Sequence, residues 1–163
     1  MKYTGYWISQ YGDIMPVTDQ RHINQIIRNP EKFGFTLKEI KEIYRTHKER
    51  LFSEGGKSRE EILIKLIEKG WIRIRYVQNQ DFFTIQISSL SHNVKESIWD
   101  FAVGVTSKFD NISKFTGVKI MNLNAEILFS GDLNEIVHYK AFEEHFKYIN
   151  KFVLIENFIP KKK

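Results

Sequence analysis

The chain contains no cysteine and no long apolar run, and each of these absences excludes a class of protein. Without cysteine, its 163 residues cannot form disulfide bonds, thiolate zinc sites or a thiol nucleophile. No stretch approaches the roughly 18 consecutive apolar residues of a membrane-spanning helix, and residues 1–13 lack the apolar core of a signal peptide. These absences predict a cytoplasmic protein with no membrane partner.

Length and charge set the next limits. The chain is long enough to bury a hydrophobic core without support from metals or disulfides. We therefore expect one domain over residues 1–160, followed by a solvated basic tail at residues 161–163. The net charge is +5, and every arginine lies before residue 76. An anionic partner is therefore expected to meet the first half of the chain.

The most regular pattern runs from Ser58 to Ser88 and predicts a helix followed by a β-hairpin. Ser58 and Glu61 have the spacing of a capping box, in which each side chain bonds a free backbone amide of the first turn. The predicted helix ends at Gly70, where a left-handed conformation costs glycine little. One apolar stripe at helical spacing supports it: Ile62, Leu63, Leu66 and Ile67.

After Gly70 the apolar period shortens from about 3.6 residues to 2, as in a β-strand. Arg73 and Arg75 then point to one side of the strand, and the residues on the other side are Ile72, Ile74 and Tyr76. A turn at residues 78–81 returns the chain through a second strand, with Phe83, Ile85 and Ile87 on its apolar side. A helix followed by such a hairpin also suggests a winged-helix arrangement.

The remaining patterns of the first half predict one hairpin and two helices. The hairpin joins residues 6–9 to 14–17, with its second strand at a sheet edge because of Pro16. Thr18 or Asp19 can cap a helix that stops before Pro30. Thr36 and Glu39 form a further capping box, which opens a helix with this inner side: Leu37, Ile40, Ile43, Tyr44 and His47.

The second half predicts helices and short strands by periodicity alone. A helix starts near Asn93 and Glu96 and carries a long apolar stripe that ends at Phe109, with Trp99 and Val103 off the stripe. Strands follow at residues 118–121 and 125–130, and Gly131 and Asp132 break the second strand and cap another helix. Residues 152–155 extend this helix or form a strand. The chain is thus predicted to be an α+β fold of several hairpins and four to five helices.

Sequence motifs for catalysis, metals and cofactors are missing. The loop Gly55–Ser58 resembles the end of a phosphate-binding P-loop, but Leu51 stands where that motif needs its first glycine. A weaker possibility is that the amides before this helix hold a phosphate. His138 and His145 are too far apart along a helix to bind one metal ion alone. We therefore predict no catalytic residue, metal site or cofactor.

Three motifs of the first half carry a resemblance to a known family. They are FGFTLKEIKEIY at residues 33–44, SEGGKSREEI at 53–62 and, above all, GWIRIR at 70–75. On these motifs, residues 5–88 resemble a family of short uncharacterised proteins of tailed bacteriophages. The resemblance implies a phage-type origin, and hence a host cytoplasm. It brings no ligand or catalytic residue with it.

The strongest functional candidates are Arg73 and Arg75. If the isoleucines of their strand face the core, the two guanidinium groups stand about 7 Å apart on the solvent face, which suits neighbouring phosphates of DNA or RNA. Lys57, Arg59 and Lys65 would lie nearby. The alternative is that both arginines pair with acidic groups of adjoining elements.

Two functions follow from these patterns. The first is a phage-type accessory or regulatory protein that binds nucleic acid through the arginine-bearing half. The second is an interaction module that occludes or inhibits a host or phage protein, with Trp7, Trp71 and Trp99 as its anchors.

Overall fold

A computed structural model of the chain describes residues 5–76, 82–108, 117–133 and 135–137. The strands form one six-stranded sheet in the order β2-β1-β3-β4-β5-β6. They are β1 (Gly5–Ile8), β2 (Ile14–Met15), β3 (Ile72–Tyr76), β4 (Phe82–Gln86), β5 (Gly117–Met121) and β6 (Ile127–Asp132). Neighbouring strands are antiparallel except for the parallel pair β4 and β5.

Helices cover both faces of this sheet. They are α1 (Asp19–Arg28), α2 (Leu37–Thr46), α3 (Gly56–Glu68) and α4 (His92–Lys108), with a 3-10 helix at Pro30–Phe33. The helix α4 connects β4 to β5, which explains their parallel pairing because such a crossover needs many residues. A further helical segment begins at Leu133. The predicted α+β fold is confirmed.

Two hydrophobic clusters lie on opposite faces of the sheet. On the first face, the isoleucines of β3 pack with α4 and with Leu133 and Ile136. On the second face, Trp7 and Trp71 pack with α1, α2 and α3. Helices thus pack against both faces of β3, so a side chain on either face of this strand can be buried.

Several local predictions are confirmed. Pro16 follows β2, which is an edge strand. Thr18 is the residue that caps α1, and the capping box at Thr36 and Glu39 is present. Gly70 has a φ of +108° and ends α3 as predicted. Its own N–H donates to the Ile67 carbonyl, and the N–H of the next residue donates to the Leu66 carbonyl.

The predicted capping box at Ser58 is wrong. The helix α3 begins at Gly56, and the buried Ser58 hydroxyl donates to the Ile43 carbonyl. The free amides of Lys57 and Ser58 instead donate to the carboxylate of Glu49, at 3.0 and 2.9 Å. A Cβ on Gly56 would lie 2.7 Å from a Glu49 carboxylate oxygen, so glycine leaves room for this cap.

Two predicted boundaries and one predicted core residue are also wrong. The helix α4 begins at His92, and the hydroxyl of Ser91, not a group of Asn93, accepts its Val94 amide. The strand β6 continues through Gly131 and Asp132 instead of breaking there. Leu37 is exposed, because it is the first residue of α2 and precedes its buried stripe.

Some predictions fall outside the described residues. These are the turn at residues 78–81, Phe109, the histidines His138 and His145, residues 152–155 and the tail at 161–163. The winged-helix interpretation stays unconfirmed, and β3 and β4 each pair with a neighbour on both sides, so their hairpin does not project as a free wing. None of the helices that the structure describes is long and apolar enough to cross a membrane.

Candidate nucleic-acid interface

Arg73 is not on a solvent face, contrary to the expectation from strand alternation. Its side chain is 1% exposed and is among the largest fully buried side chains of the described chain. The isoleucines of β3 do face a core, as expected, but the opposite side of the strand lies beneath α1 and α3. The alternative in which an arginine pairs with acidic neighbours is therefore the correct one for Arg73.

The Arg73 guanidinium is held by two carboxylates and an amide. One of its terminal nitrogens donates to Asp19 at 2.6 Å and the other to Glu60 at 2.8 Å. The latter nitrogen also donates to the Gln86 amide oxygen at 3.1 Å. The Trp7 indole N–H donates to the second oxygen of Asp19 at 3.0 Å, which fixes this carboxylate from the other side. We call these five residues the Arg73 network.

The register of the sheet explains why these side chains meet. Trp7 on β1 lies opposite Arg73, and Gln86 lies opposite it on β4. Thr18 caps α1, so Asp19 is the first residue of that helix and comes directly above the strand pair. Glu60 reaches the guanidinium from α3.

The electrostatics of the network favour its charged form. Burial alone would raise the pKa of Asp19, but the hydrogen bond and charge of Arg73 outweigh burial and hold this pKa below its ordinary value. Burial alone would lower the pKa of Arg73, but its bonds to Glu60 and Asp19 raise it instead. The buried Arg73 charge is thus paired with two carboxylates that keep some contact with water, since the side chains of Asp19 and Glu60 are 14% and 48% exposed.

Arg75, in contrast, is exposed and has no ion pair among the described residues. Partial desolvation and the positive charge of Arg73 lower its pKa, while Asp19 and Glu60 oppose this shift. Of the two arginines of β3, Arg73 is buried and Arg75 is therefore the one that a ligand can reach.

The cluster beneath α1, α2 and α3 does not extend over the whole second face of the sheet. The strands β4, β5 and β6 contribute no residue to this cluster. The pairing places four polar side chains in one transverse line on this side: Arg75, Thr84, Lys119 and Ser130. None of the four is buried. We call them the polar row. Phe82 lies on the same side, with its ring 4.4 Å from the Lys119 ammonium.

The other three predicted site residues lie on α3, and the charge of one of them, Arg59, acts on Arg75 and lowers its pKa. Arg59 is half-buried and donates to Gln20 of α1 at 3.3 Å. Lys57 lies two residues before Arg59, so it projects about 160° away around the helix. Lys65 lies six residues after Arg59 and projects about 120° away. Of the five predicted residues, Arg73 is buried and ion-paired, Arg75 is exposed, and the three on α3 project in different directions from that helix.

The phosphate site at the start of α3 is also corrected. The amides of Lys57 and Ser58 are occupied by Glu49, and this carboxylate would repel an anion. These hydrogen bonds also hold the pKa of Glu49 below its ordinary value, so the carboxylate stays charged at neutral pH. The helix terminus is capped by the chain itself and is not a phosphate cradle.

The tryptophans proposed as interface anchors are all buried. Trp7 and Trp71 belong to the cluster beneath α1–α3, and Trp99 belongs to the cluster beneath α4. Their aromatic surface therefore stabilises the fold. The alternative function, occlusion of a host or phage protein, loses the anchors on which it rested.

Three residues of the polar row, Thr84, Lys119 and Ser130, were not predicted from the sequence. A signal for Lys119 was present, because it stands between Val118 and Ile120 and strand alternation puts it on the polar side of β5. Which strand lies beside which could not be read from the sequence, and only the register brings Lys119 into line with Arg75.

Neither the search for metal-binding side chains nor the comparison with known proteins adds a further site. Within the ranges that the structure describes, no group of three His, Asp or Glu side chains could hold a metal ion. Comparison of the chain with protein-family models, with curated proteins and with solved structures gives no match. The resemblance to the phage family therefore stays a prediction.

Proposed function

We propose that this protein binds a nucleic-acid strand across the polar row, as a phage-type accessory or regulatory protein. The observation that carries the proposal is the alignment of Arg75, Thr84, Lys119 and Ser130 in one register line of the sheet. A guanidinium and an ammonium bind phosphates by charge, and the hydroxyls between and beside them donate further hydrogen bonds.

The dimensions of the row suit a flexible single strand. Arg75 and Lys119 lie two strands apart, which is about 10 Å between their backbones, and both side chains are long enough to reach phosphates that are closer or farther apart. The half-buried ring of Phe82 lies 4.4 Å from the Lys119 ammonium and so helps to position this cation within the row. Contacts of this kind read no sequence, so we propose sequence-independent binding.

The Arg73 network supports the row indirectly. It holds Asp19 and Glu60, the two carboxylates whose charges act on Arg75. Because Arg73 binds both of them, neither forms an ion pair with Arg75. Arg73 itself acts as a positioning residue and does not contact the ligand.

The test is fluorescence anisotropy with short labelled single-stranded DNA, single-stranded RNA and duplex DNA, at about 50 mM salt. We expect micromolar binding of single strands, and at least tenfold weaker binding by the double variant R75A/K119A. The slope of log Kd against log salt should fall by about 1.4, because each of the two lost phosphate contacts removes about 0.7 for a single strand.

The matched control is K38A/K41A, which removes two exposed lysines from α2 and causes the same change in net charge. It should weaken binding by less than about twofold, since only distant charge is lost. Absence of binding at micromolar protein, or equal losses in the two double variants, would show that the polar row is not the binding surface.

A further inference from the structure

A concave site lies near the opposite end of the sheet from β6. It is a cavity of about 700 Å³ beside the β1–β2 turn, bounded by α1 and the 3-10 helix. This volume falls within the range of about 300–1000 Å³ that is typical of small-molecule sites. Its lining combines aromatic rings with cationic, acidic and amide side chains.

The apolar wall of the cavity is formed by Trp71 and Phe33, whose ring centroids are 5.6 Å apart. The ring of His22 packs against both, at 5.0 and 5.4 Å. Trp71 is fixed further because its amide closes the C-terminus of α3. Tyr11 also lines the cavity and is 83% exposed, so its ring is available to cover a flat ligand.

The charges of the cavity favour an anion. Arg28 and Lys32 line it together with one carboxylate, Asp13. None of the three takes part in an ion pair with the other residues that the structure describes. The Arg28 guanidinium lies 5.7 Å from the Phe52 ring, a contact that orients it while leaving its N–H groups able to donate.

An amide donor completes the lining. Burial lowers the pKa of His22 to about 4, so the ring is neutral at physiological pH. Its Nδ1 lies 3.4 Å from the Gln25 Oε1, and we assign the single ring proton to this nitrogen because Oε1 can only accept. The amide nitrogen of Gln25 is then left to donate to a ligand in the cavity.

We propose that this cavity binds a small anionic aromatic molecule of the nucleoside monophosphate class. The base packs against the exposed ring of Tyr11, over a floor to which Trp71 and Phe33 each expose 7% of their surface, and the phosphate is held by Arg28 and Lys32. A flat ring alone would not use the two unpaired cations, and a bare anion would not use the aromatic wall. The combination of both in one cavity points to a ligand that carries both. This inference does not depend on the polar row.

The test is isothermal titration calorimetry of the full chain with AMP, UMP and adenosine. We expect AMP to bind with a submillimolar Kd, and adenosine at least tenfold more weakly because it lacks the phosphate. The double variant R28A/K32A should weaken AMP binding at least tenfold. The charge-matched control R21A/K41A, on exposed positions outside the cavity, should change it by less than about twofold.

Three outcomes would overturn the proposal. One is no heat of binding for either mononucleotide at millimolar concentration. Another is equal affinity for AMP and adenosine, since the cations would then play no part. The last is an equal loss in R28A/K32A and R21A/K41A, which would reflect net charge alone. Thermal melts of both variants should match the parent chain, so that a loss of binding reports on the cavity and not on folding.

Discussion

At the scale of single residues, the burial of Arg73 has the largest expected consequence. The variant R73M would keep much of the side-chain volume but leave Asp19 and Glu60 without their cation. We expect it to lower the free energy of unfolding by about 2–3 kcal/mol, because hydrogen bonds to a charged group are lost but the Asp19 and Glu60 carboxylates, 14% and 48% exposed, can still be hydrated. Urea denaturation followed by circular dichroism measures this change.

The matched residue for that comparison is Arg75, which lies on the same side of the same strand but is exposed. The variant R75M should change the free energy of unfolding by less than about 1 kcal/mol. If R73M and R75M had the same small effect, the Arg73 network would not be a structural element of this fold.

His22 makes the stability of the protein depend on pH in a defined window. Its pKa is about 4 in the folded state, because burial disfavours the imidazolium, and about 6.5 in the unfolded state. The unfolded state therefore binds the proton more readily, so stability is complete above pH 6.5 and is lost as the pH falls toward 4. The expected loss is about 3 kcal/mol.

Urea midpoints measured between pH 7 and pH 4 check this dependence. The variant H22F, whose ring cannot titrate, should lack most of the loss above pH 4.5. Carboxylates with lowered pKa values lose their contribution below their ordinary values, which are 3.8 for Asp19 and 4.5 for Glu42 and Glu49, so they do not account for a loss above pH 4.5. A parent chain with a flat profile from pH 7 to 4.5 would contradict the buried neutral His22.

At the scale of elements, two glycines should respond in opposite ways to alanine. Gly70 has a φ of +108°, so G70A strains the end of α3 and should cost more than about 1 kcal/mol. Gly104 is exposed within α4, and an added Cβ there would meet no atom within 4 Å. G104A should therefore raise stability by about 0.5–1 kcal/mol. Thermal and urea unfolding of the two variants measure both signs.

The same scale shows what the sequence could predict. Features that depend on near neighbours, such as the capping box at Thr36 or the end of α3 at Gly70, followed from residue types at fixed spacing. The start of α3 did not, because its cap is the carboxylate of Glu49, which lies in the preceding loop. A cap supplied from outside the helix leaves no local pattern to detect.

At the scale of the whole molecule, the candidate site was predictable only in part. Alternation in β3 correctly separates Arg73 from Ile72, but it does not say that helices cover both faces of that strand. Once α1 and α3 lie over β1 and β3, Arg73 is inside and Arg75 remains near the border of the covered area. The polar row depends further on pairing between strands that are distant in sequence, which no local pattern contains.

Because α4 lies between β4 and β5 in the chain, the first four strands emerge from the ribosome before the helix that covers them and before the strand that pairs with β4. When residues 1–88 have left the ribosome, β1 to β4 are complete, but α4, which covers their isoleucine-rich face, has not yet emerged. At that moment β4 is also an unpaired edge. A nascent chain of this length exposes both an apolar surface and a free strand, which are the features that lead to aggregation. A fragment of residues 1–88 should accordingly sediment as insoluble material, whereas the full chain should not.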